Sequence, residues 1–330
     1  MRITFVIPHA GLAGGVRVVA NFSDWLTRHG HEVVVVSRPH QTLGFGRKLK
    51  SFLRGRGWPD EPARLASYFD HIDIDHRVID RCRPIMDEDL PDADVVIATW
   101  WETAEWVAAM SPQKGAKVNF LQHYEVYWDN EKERVDQTWR LPFHKIVIMQ
   151  WLADIAKTRF NDESVSIVSA GVDTNQFQAA PRGKQPKPTV GLMYSSVRFK
   201  GCDISLQAVD LARKQVEHLD LVAFGMSDPT PKLPLPPGTR YRKSPPQKEI
   251  CDIYGQCDAW LFGSRVEGFG LPLLESMACR TPVIGTPAGV AGELLKGGGG
   301  ILVKTEDPDD MANAIVKVCR FSEAQWRAMI

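Results

Sequence analysis

The chain has no apolar run approaching the roughly 18 residues that a membrane-spanning helix needs, and its opening Met1-Arg2-Ile3-Thr4-Phe5-Val6-Ile7-Pro8 is too short an apolar run for a signal peptide. It reads instead as a first strand, which predicts a cytoplasmic protein. Excess charge is missing too: 40 basic and 40 acidic residues cancel, which argues against a general nucleic-acid binder. The six cysteines, at 82, 202, 251, 257, 279 and 319, form no C-x-x-C pair and have no histidines at zinc spacing. They read as reduced, buried thiols. The first loop contains Gly11, Gly14 and Gly15 but no G-x-G-x-x-G, and Ser37-Arg38 stands where an acidic residue would close the next strand, so a nicotinamide dinucleotide site is not expected. The D-x-D pairs Asp73/Asp75 and Asp92/Asp94 sit at strand starts without the surroundings of a metal site. They read as surface carboxylates, and no metal is expected.

What is present is a two-domain α/β pattern. A length of 330 residues suits about two domains of ordinary size. Thr4 to Pro8 reads as a buried strand, followed by a helix carrying Val16, Val19, Phe22 and Leu26 on one face, a closing Gly30, and a strand from His31 to Ser37. Such β-loop-α-β units build parallel sheets covered on both faces. Further strands are expected at 95–99, 118–122, 145–149 and 166–169. Residues 179–188, Ala-Ala-Pro-Arg-Gly-Lys-Gln-Pro-Lys-Pro, have linker composition. Beyond them strands are expected at 189–194, 219–225 and 259–263, and Asp203 is expected to cap a helix.

One stretch, Gly263 to Cys279, carries the chemistry. An apolar strand runs through the glycine loop Gly268-Phe269-Gly270 into a helix whose first residue is expected to be Pro272, where a missing N–H leaves nothing unsatisfied. The N–H groups of Gly268, Phe269, Gly270 and Leu271 then precede a helix N-terminus, a ready anion site. Glu267 and Glu275 flank it and accept hydrogen bonds without donating any, which suits hydroxyl-rich groups. Phosphate on the amides and hydroxyls on the carboxylates together describe a nucleotide-sugar. A solvated loop glutamate plus a first-turn glutamate complementing the dipole accounts for the bare pair equally well.

Ser264 to Glu275, followed by Thr281-Pro282-Val283-Ile284-Gly285, resembles the EGFGLPxLEAMAxGxPVI signature of the retaining GT-B glycosyltransferases, family 4 in particular. The resemblance implies two Rossmann-like domains with mainly parallel sheets facing a cleft. By position it assigns the ribose to Glu275, the donor sugar to Glu267, and the diphosphate to the amides of Gly268, Phe269, Gly270 and Leu271. Gly14 and Gly15 match the first-domain glycine loop that helps position donor phosphate and acceptor. His123 matches a cleft histidine that contacts the donor sugar or orients the acceptor. Lys200-Gly201 matches one half of a cationic clamp, but Tyr194 and Ser195 stand where its arginine is usually found. Arg198 is close enough in sequence to substitute. Arg280 replaces the glycine that usually ends the helix, so that cap must be strained or built differently.

These readings divide the chain into an N-terminal acceptor-binding domain, 1–182, and a C-terminal nucleotide-sugar-binding domain, 183–330, that stops short of the family's final crossover helix. The expected function is transfer of a sugar from a nucleoside-diphosphate sugar to a glycan, lipid or small-molecule acceptor, with retention of configuration and with His123, Glu267 and Lys200 as catalytic residues. The donor is a substrate and no cofactor is expected. A different class also fits the missing arginine and Arg280: a non-catalytic nucleotide-sugar-binding or scaffold subunit of a glycan-assembly complex. Residues 45–56 interleave Phe45, Leu49, Phe52 and Leu53 with Arg47, Lys48, Lys50, Arg54 and Arg56. Such a segment can lie peripherally on an anionic membrane, here the inner face, or hold an anionic acceptor, and it also reads as a plain solvated face.

Overall fold

The structure, a computed structural model, describes residues 1–40, 49, 52–53, 66–126 and 131–330. The chain divides into two compact units, Met1–Ser169 and Ala170–Ile330.

The first unit is a seven-stranded sheet, ordered β3-β2-β1-β4-β5-β6-β7, whose described neighbours all pair in parallel. The strands are β1 Arg2–His9, β2 Glu32–Arg38, β3 Asp75–Val78, β4 Val95–Ala98, β5 Ala116–Leu121, β6 His144–Val147 and β7 Val165–Ile167. Helices α1 Gly14–Arg28, α2 Trp101–Ala109, α3 Lys132–Trp139 and α4 Gln150–Phe160 connect them. The central strands are apolar through their length because helices cover both faces. Val6, Val36, Val96 and Ala98 pack with Ala104, Trp106 and Val107 of α2 in one buried cluster. On α1 the buried stripe is Val16, Val18, Val19, Ala20 and Ser23. Phe22, expected on that stripe, is half-buried with its ring edge-on to Phe120 at 5.6 Å.

The second unit is a six-stranded sheet, ordered β10-β9-β8-β11-β12-β13 and parallel throughout. Its strands are β8 Thr189–Tyr194, β9 Asp220–Gly225, β10 Arg240–Lys243, β11 Ala259–Phe262, β12 Val283–Gly285 and β13 Gly300–Leu302. Its helices are α5 Cys202–Arg213, α6 Ile250–Gly255, α7 Leu271–Ala278, α8 Ala291–Leu294, α9 Pro308–Arg320 and α10 Glu323–Arg327. Strand order reverses between β8 and β11. In an open parallel sheet, ligands bind outside the carboxyl ends of the strands at that point. The loops leaving β8 and β11 are 195–201 and 263–270.

Some local expectations need correction. Asp203 is the second residue of α5, whose N-cap is Gly201 with φ of 59°, and its carboxylate accepts from Arg265 instead of capping the helix from the N-cap position. Helix α7 begins at Leu271 with Gly270 as N-cap, so Pro272 is its second residue. The segment of linker composition is tied to the second unit: Arg182 donates to the carbonyl of Cys257 at 2.6 Å, and Lys184 to those of Cys319 and Phe321 at 2.7 and 2.9 Å. Cys82 is exposed, and Cys251 and Cys319 are only partly buried. Arg280 itself takes the left-handed position after α7, with φ of 53°. That strain, of order 1–2 kcal/mol for a non-glycine residue, is offset in part by its guanidinium, which holds the carbonyl of Ala179 at 2.9 Å.

Among the described residues no helix is long and apolar enough to cross a membrane. The basic segment 45–56 lies outside the described residues except for Leu49, Phe52 and Leu53, whose side chains are exposed.

Candidate functional site

In the second unit the two switch-point loops are clamped together by their backbones. Gly201 has φ of +59°, and a Cβ there would lie 1.7 Å from the carbonyl oxygen of Gly263, so only glycine fits. Arg265 donates its backbone N–H to Phe199 at 2.8 Å. Its guanidinium donates to both oxygens of Asp203 at 2.8 Å and to the carboxylate of Glu306, and these hydrogen bonds hold both acids below their ordinary carboxylate range.

This clamp presents Lys200 to Glu267. The ammonium of Lys200 donates to both carboxylate oxygens at 2.9 Å, and Ser264 Oγ donates to Oε1 at 2.7 Å. Glu267 is buried and Lys200 half-buried. From the other side Gly289, with φ of +56°, closes on the loop: a Cβ there would meet the carbonyl oxygen of Phe269 at 2.2 Å. Val290 donates its N–H to that same oxygen at 2.8 Å. Among the described residues the N–H groups of Phe269, Gly270 and Leu271 have no protein acceptor. They precede α7 at its positive pole, where an anion is favoured. Glu275, one turn into α7, is buried and accepts from Tyr254 Oη of α6 at 2.8 Å.

The expected residues of this unit therefore gather around the carboxyl ends of the two central strands, β8 and β11, except in one respect. Arg198 is exposed, and what it contributes to the loop packing is its carbonyl, which accepts from Arg265 at 2.5 Å; its charge also helps lower Glu306. Tyr194, at the position of the missing arginine, is a core residue. Its hydroxyl donates to Leu233 at 2.8 Å and accepts from the N–H of Thr230 at 2.9 Å. Sequence reasoning missed Ser264, Tyr254, Arg265 and Gly289. Ser264 and Arg265 stand three and two residues before Glu267 and could have been noticed; Tyr254 and Gly289 are joined to the site by the fold.

In the first unit Gly14 and Gly15 open α1 and are exposed. Gln122, just past β5, donates to the carbonyl of Gly15 at 3.1 Å, and a Cβ at Gly15 would find ordinary contacts. His123 follows, with Nδ1 3.0 Å from the carbonyl of Tyr124 and its ring edge-on to Trp151 at 5.4 Å. A carbonyl only accepts, so the proton sits on Nδ1. Trp101 is buried, under the guanidinium of Arg134 at 4.4 Å. Asp75, Asp92 and Asp94, from the D-x-D pairs, are matched by Arg77, Lys114 and Arg2.

The chain is similar to several known proteins. Residues 174–327, nearly all of the second unit, match the family model "Glycosyl transferases group 1". D-inositol 3-phosphate glycosyltransferase 2 of Catenulispora acidiphila is 29% identical over 176 residues, 46% of this chain and 41% of that protein. The chain thus spans about two fifths of the length of this curated relative. Sucrose-phosphate synthase from Thermosynechococcus elongatus superposes with a TM-score of 0.74 at 17% identity, over 100% of this chain and 92% of that one. The Anabaena HepE protein, solved with UDP-glucose, gives 0.71 at 15% identity, over 100% and 93%. Two parallel sheets with helices on this pattern are the fold of the GT-B glycosyltransferases.

Glu125, next to Tyr124, is fully buried and accepts from the N–H of Trp101 at 3.2 Å. Burial pushes its carboxyl well above the ordinary value near 4.5, the Trp101 hydrogen bond opposing only in part. Below pH about 4.5 both folded and unfolded chains hold that proton; above it only the unfolded chain releases it, so stability is lost as pH rises toward the folded value. Glu125→Gln removes that loss. Its melting temperature at pH 7 is expected to exceed that of the unaltered protein, with the gap closing by pH 4. A gap independent of pH would show that Glu125 is ionised in the fold.

Proposed function

We propose that this protein is a glycosyltransferase that moves a sugar from a nucleoside-diphosphate sugar to a glycan, lipid-linked or small-molecule acceptor, with retention of configuration and without a required metal. The observation that carries this reading is the Lys200–Glu267–Ser264 cluster set against the amides that open α7, at the strand-order switch of a sheet matching the group 1 glycosyl transferases. The Anabaena HepE protein holds UDP-glucose in its crystal structure, which supports a donor of that class here.

In this reading the diphosphate lies on the amides of Gly268, Phe269, Gly270 and Leu271, Glu275 holds the ribose hydroxyls, and Glu267 contacts the sugar. An ammonium has three N–H donors. The two oxygens of Glu267 occupy up to two in Lys200, and one remains to turn toward phosphate. Negative charge grows on the departing diphosphate as the glycosidic bond breaks, so fixed amides, Lys200 and the helix pole act more strongly on the transition state than on the ground state. Gly14 and Gly15 help position donor phosphate and acceptor, and His123 contacts the donor sugar or orients the acceptor; all three lie in the first unit, and the donor-binding residues 183–330 fall within the second. Peripheral contact of 45–56 with an anionic membrane would suit a lipid-linked acceptor.

One observation favours a second reading. Tyr194 is committed to packing where the family's clamp has its arginine, which suits a subunit that binds nucleotide-sugar without transferring it. Release of nucleoside diphosphate from donor separates the two.

A thermal-shift panel of nucleoside diphosphates tests donor binding directly, since a ligand of the folded state raises the melting temperature. Glu275→Gln is expected to weaken the bound diphosphate by about 1.5–3 kcal/mol, the worth of a charge-assisted hydrogen bond; an unchanged dissociation constant would remove Glu275 from the site. Transfer is expected to survive a chelator, whereas loss in EDTA restored by Mg or Mn would establish a metal requirement. Lys200→Ala is expected to lower kcat more than it raises KM, with unfolding measured alongside because the change strips buried Glu267 of its cation. Arg198→Ala has a smaller effect if the side chain reaches phosphate and none if it stays in solvent. A fully active Lys200→Ala enzyme would defeat the assignment.

A further inference from the structure

Two thiols meet directly behind Glu275. Cys251 lies in the first turn of α6 and Cys279 directly follows the last residue of α7. The Cys279 thiol donates to Cys251 Sγ at 2.9 Å, and the Cys251 thiol donates onward to the carbonyl of Gln178 at 3.1 Å. The same helices are joined by the Tyr254–Glu275 hydrogen bond of 2.8 Å. Cys251 and Tyr254 are i, i+3 neighbours on one helix, and Cys279 follows Glu275 at i, i+4, so the thiol pair and the hydroxyl–carboxylate pair are adjacent rungs between the helices. A disulfide bond is about 2.05 Å long, so the sulfurs need to approach by less than about 1 Å. Cys251 is partly exposed and Cys279 is buried, which gives the pair one entrance for a reagent. Among the described residues no other cysteine has a second thiol within hydrogen-bonding range.

We propose that Cys251 and Cys279 are a reversible dithiol–disulfide site, which on oxidation cross-links α6 to α7 behind Glu275. The oxidant is a low-molecular-weight disulfide, RSSR. The Cys251 thiolate attacks one of its sulfurs and expels RS⁻, which takes up the proton Cys251 lost; a mixed disulfide remains on Cys251. Cys279 then loses its proton and attacks the Cys251 sulfur, expelling the second RS⁻ as RSH. Two protein thiols are oxidised, and one RSSR is reduced to two RSH. Burial pushes the Cys279 thiol far up, more than its contact with Cys251 does. The second step therefore quickens as pH rises.

The test incubates the full, folded chain with oxidised glutathione and follows intact mass and a peptide map made without reductant. The expected result is a Cys251–Cys279 cross-linked peptide, lighter than its two thiol peptides together by the two hydrogens of a dithiol, about 2 Da, that dithiothreitol reverses and that forms at a rate climbing from pH 7 to pH 9. Cys279→Ser is expected to stop at the glutathione adduct on Cys251. Cys251→Ser, at the more exposed position, is expected to show neither adduct nor cross-link at this pair. An adduct on Cys251 that persists in the unaltered protein, a cross-link from either thiol to any other cysteine, or two free thiols at Cys251 and Cys279 at pH 9 would each overturn the proposal.

Discussion

Contact between two backbone turns at the strand-order switch governs the second unit. Because Gly201 leaves no room for a side chain against the carbonyl of Gly263, the loops after β8 and β11 approach to a distance that other residues would forbid. That approach lets Phe199 accept from the N–H of Arg265, and lets Arg265 reach Asp203 and Glu306 together. Lys200, next to the glycine, then has nowhere better to place its charge than on Glu267. A lysine and a glutamate 67 residues apart in sequence become one ion pair because a glycine permits their main chains to touch.

Charge in this site is arranged in layers. Arg265, with two carboxylate partners, ties the loops together and is saturated, whereas Lys200 retains a donor beyond Glu267. Glu275 is buried deeper, on the hydroxyl of Tyr254. The α7 amides lie between these carboxylates. An anion placed there meets fixed donors and a lysine together, with little rearrangement of the chain, and preorganisation of that kind is where electrostatic stabilisation is largest.

Much of the fold was legible. The apolar strands near 4–8, 31–37, 189–194, 219–225 and 259–263 are found within a residue or two, because strands covered on both faces are written as short apolar runs. The edge strands β3, Asp-His-Arg-Val, and β10, Arg-Tyr-Arg-Lys, have no such run. They are strands because β2 and β9 offer them hydrogen bonds, a reason that lies outside their own residues. The same distinction explains the segment of linker composition, whose prolines read as a spacer while Arg182, Lys184 and Gln185 are bonded into the second unit.

For the site, the sequence by itself determined the chemistry of the loop. Phe269 to Leu271 leave amides before a helix, and Glu267 and Glu275 flank them, since glycine and proline at these positions favour a loop that runs into a helix N-terminus. Arg280 announced a strained helix end for the same local reason, and its φ of 53° is that strain. Tertiary structure alone decided the partners: Lys200 with Glu267, Tyr254 with Glu275, Arg265 with Asp203 and Glu306, Cys251 with Cys279. Each pair joins residues that the fold of the second unit brings together. Hydrogen bonds and ion pairs act over about 3 Å, and a sequence does not record which distant residues are brought that close.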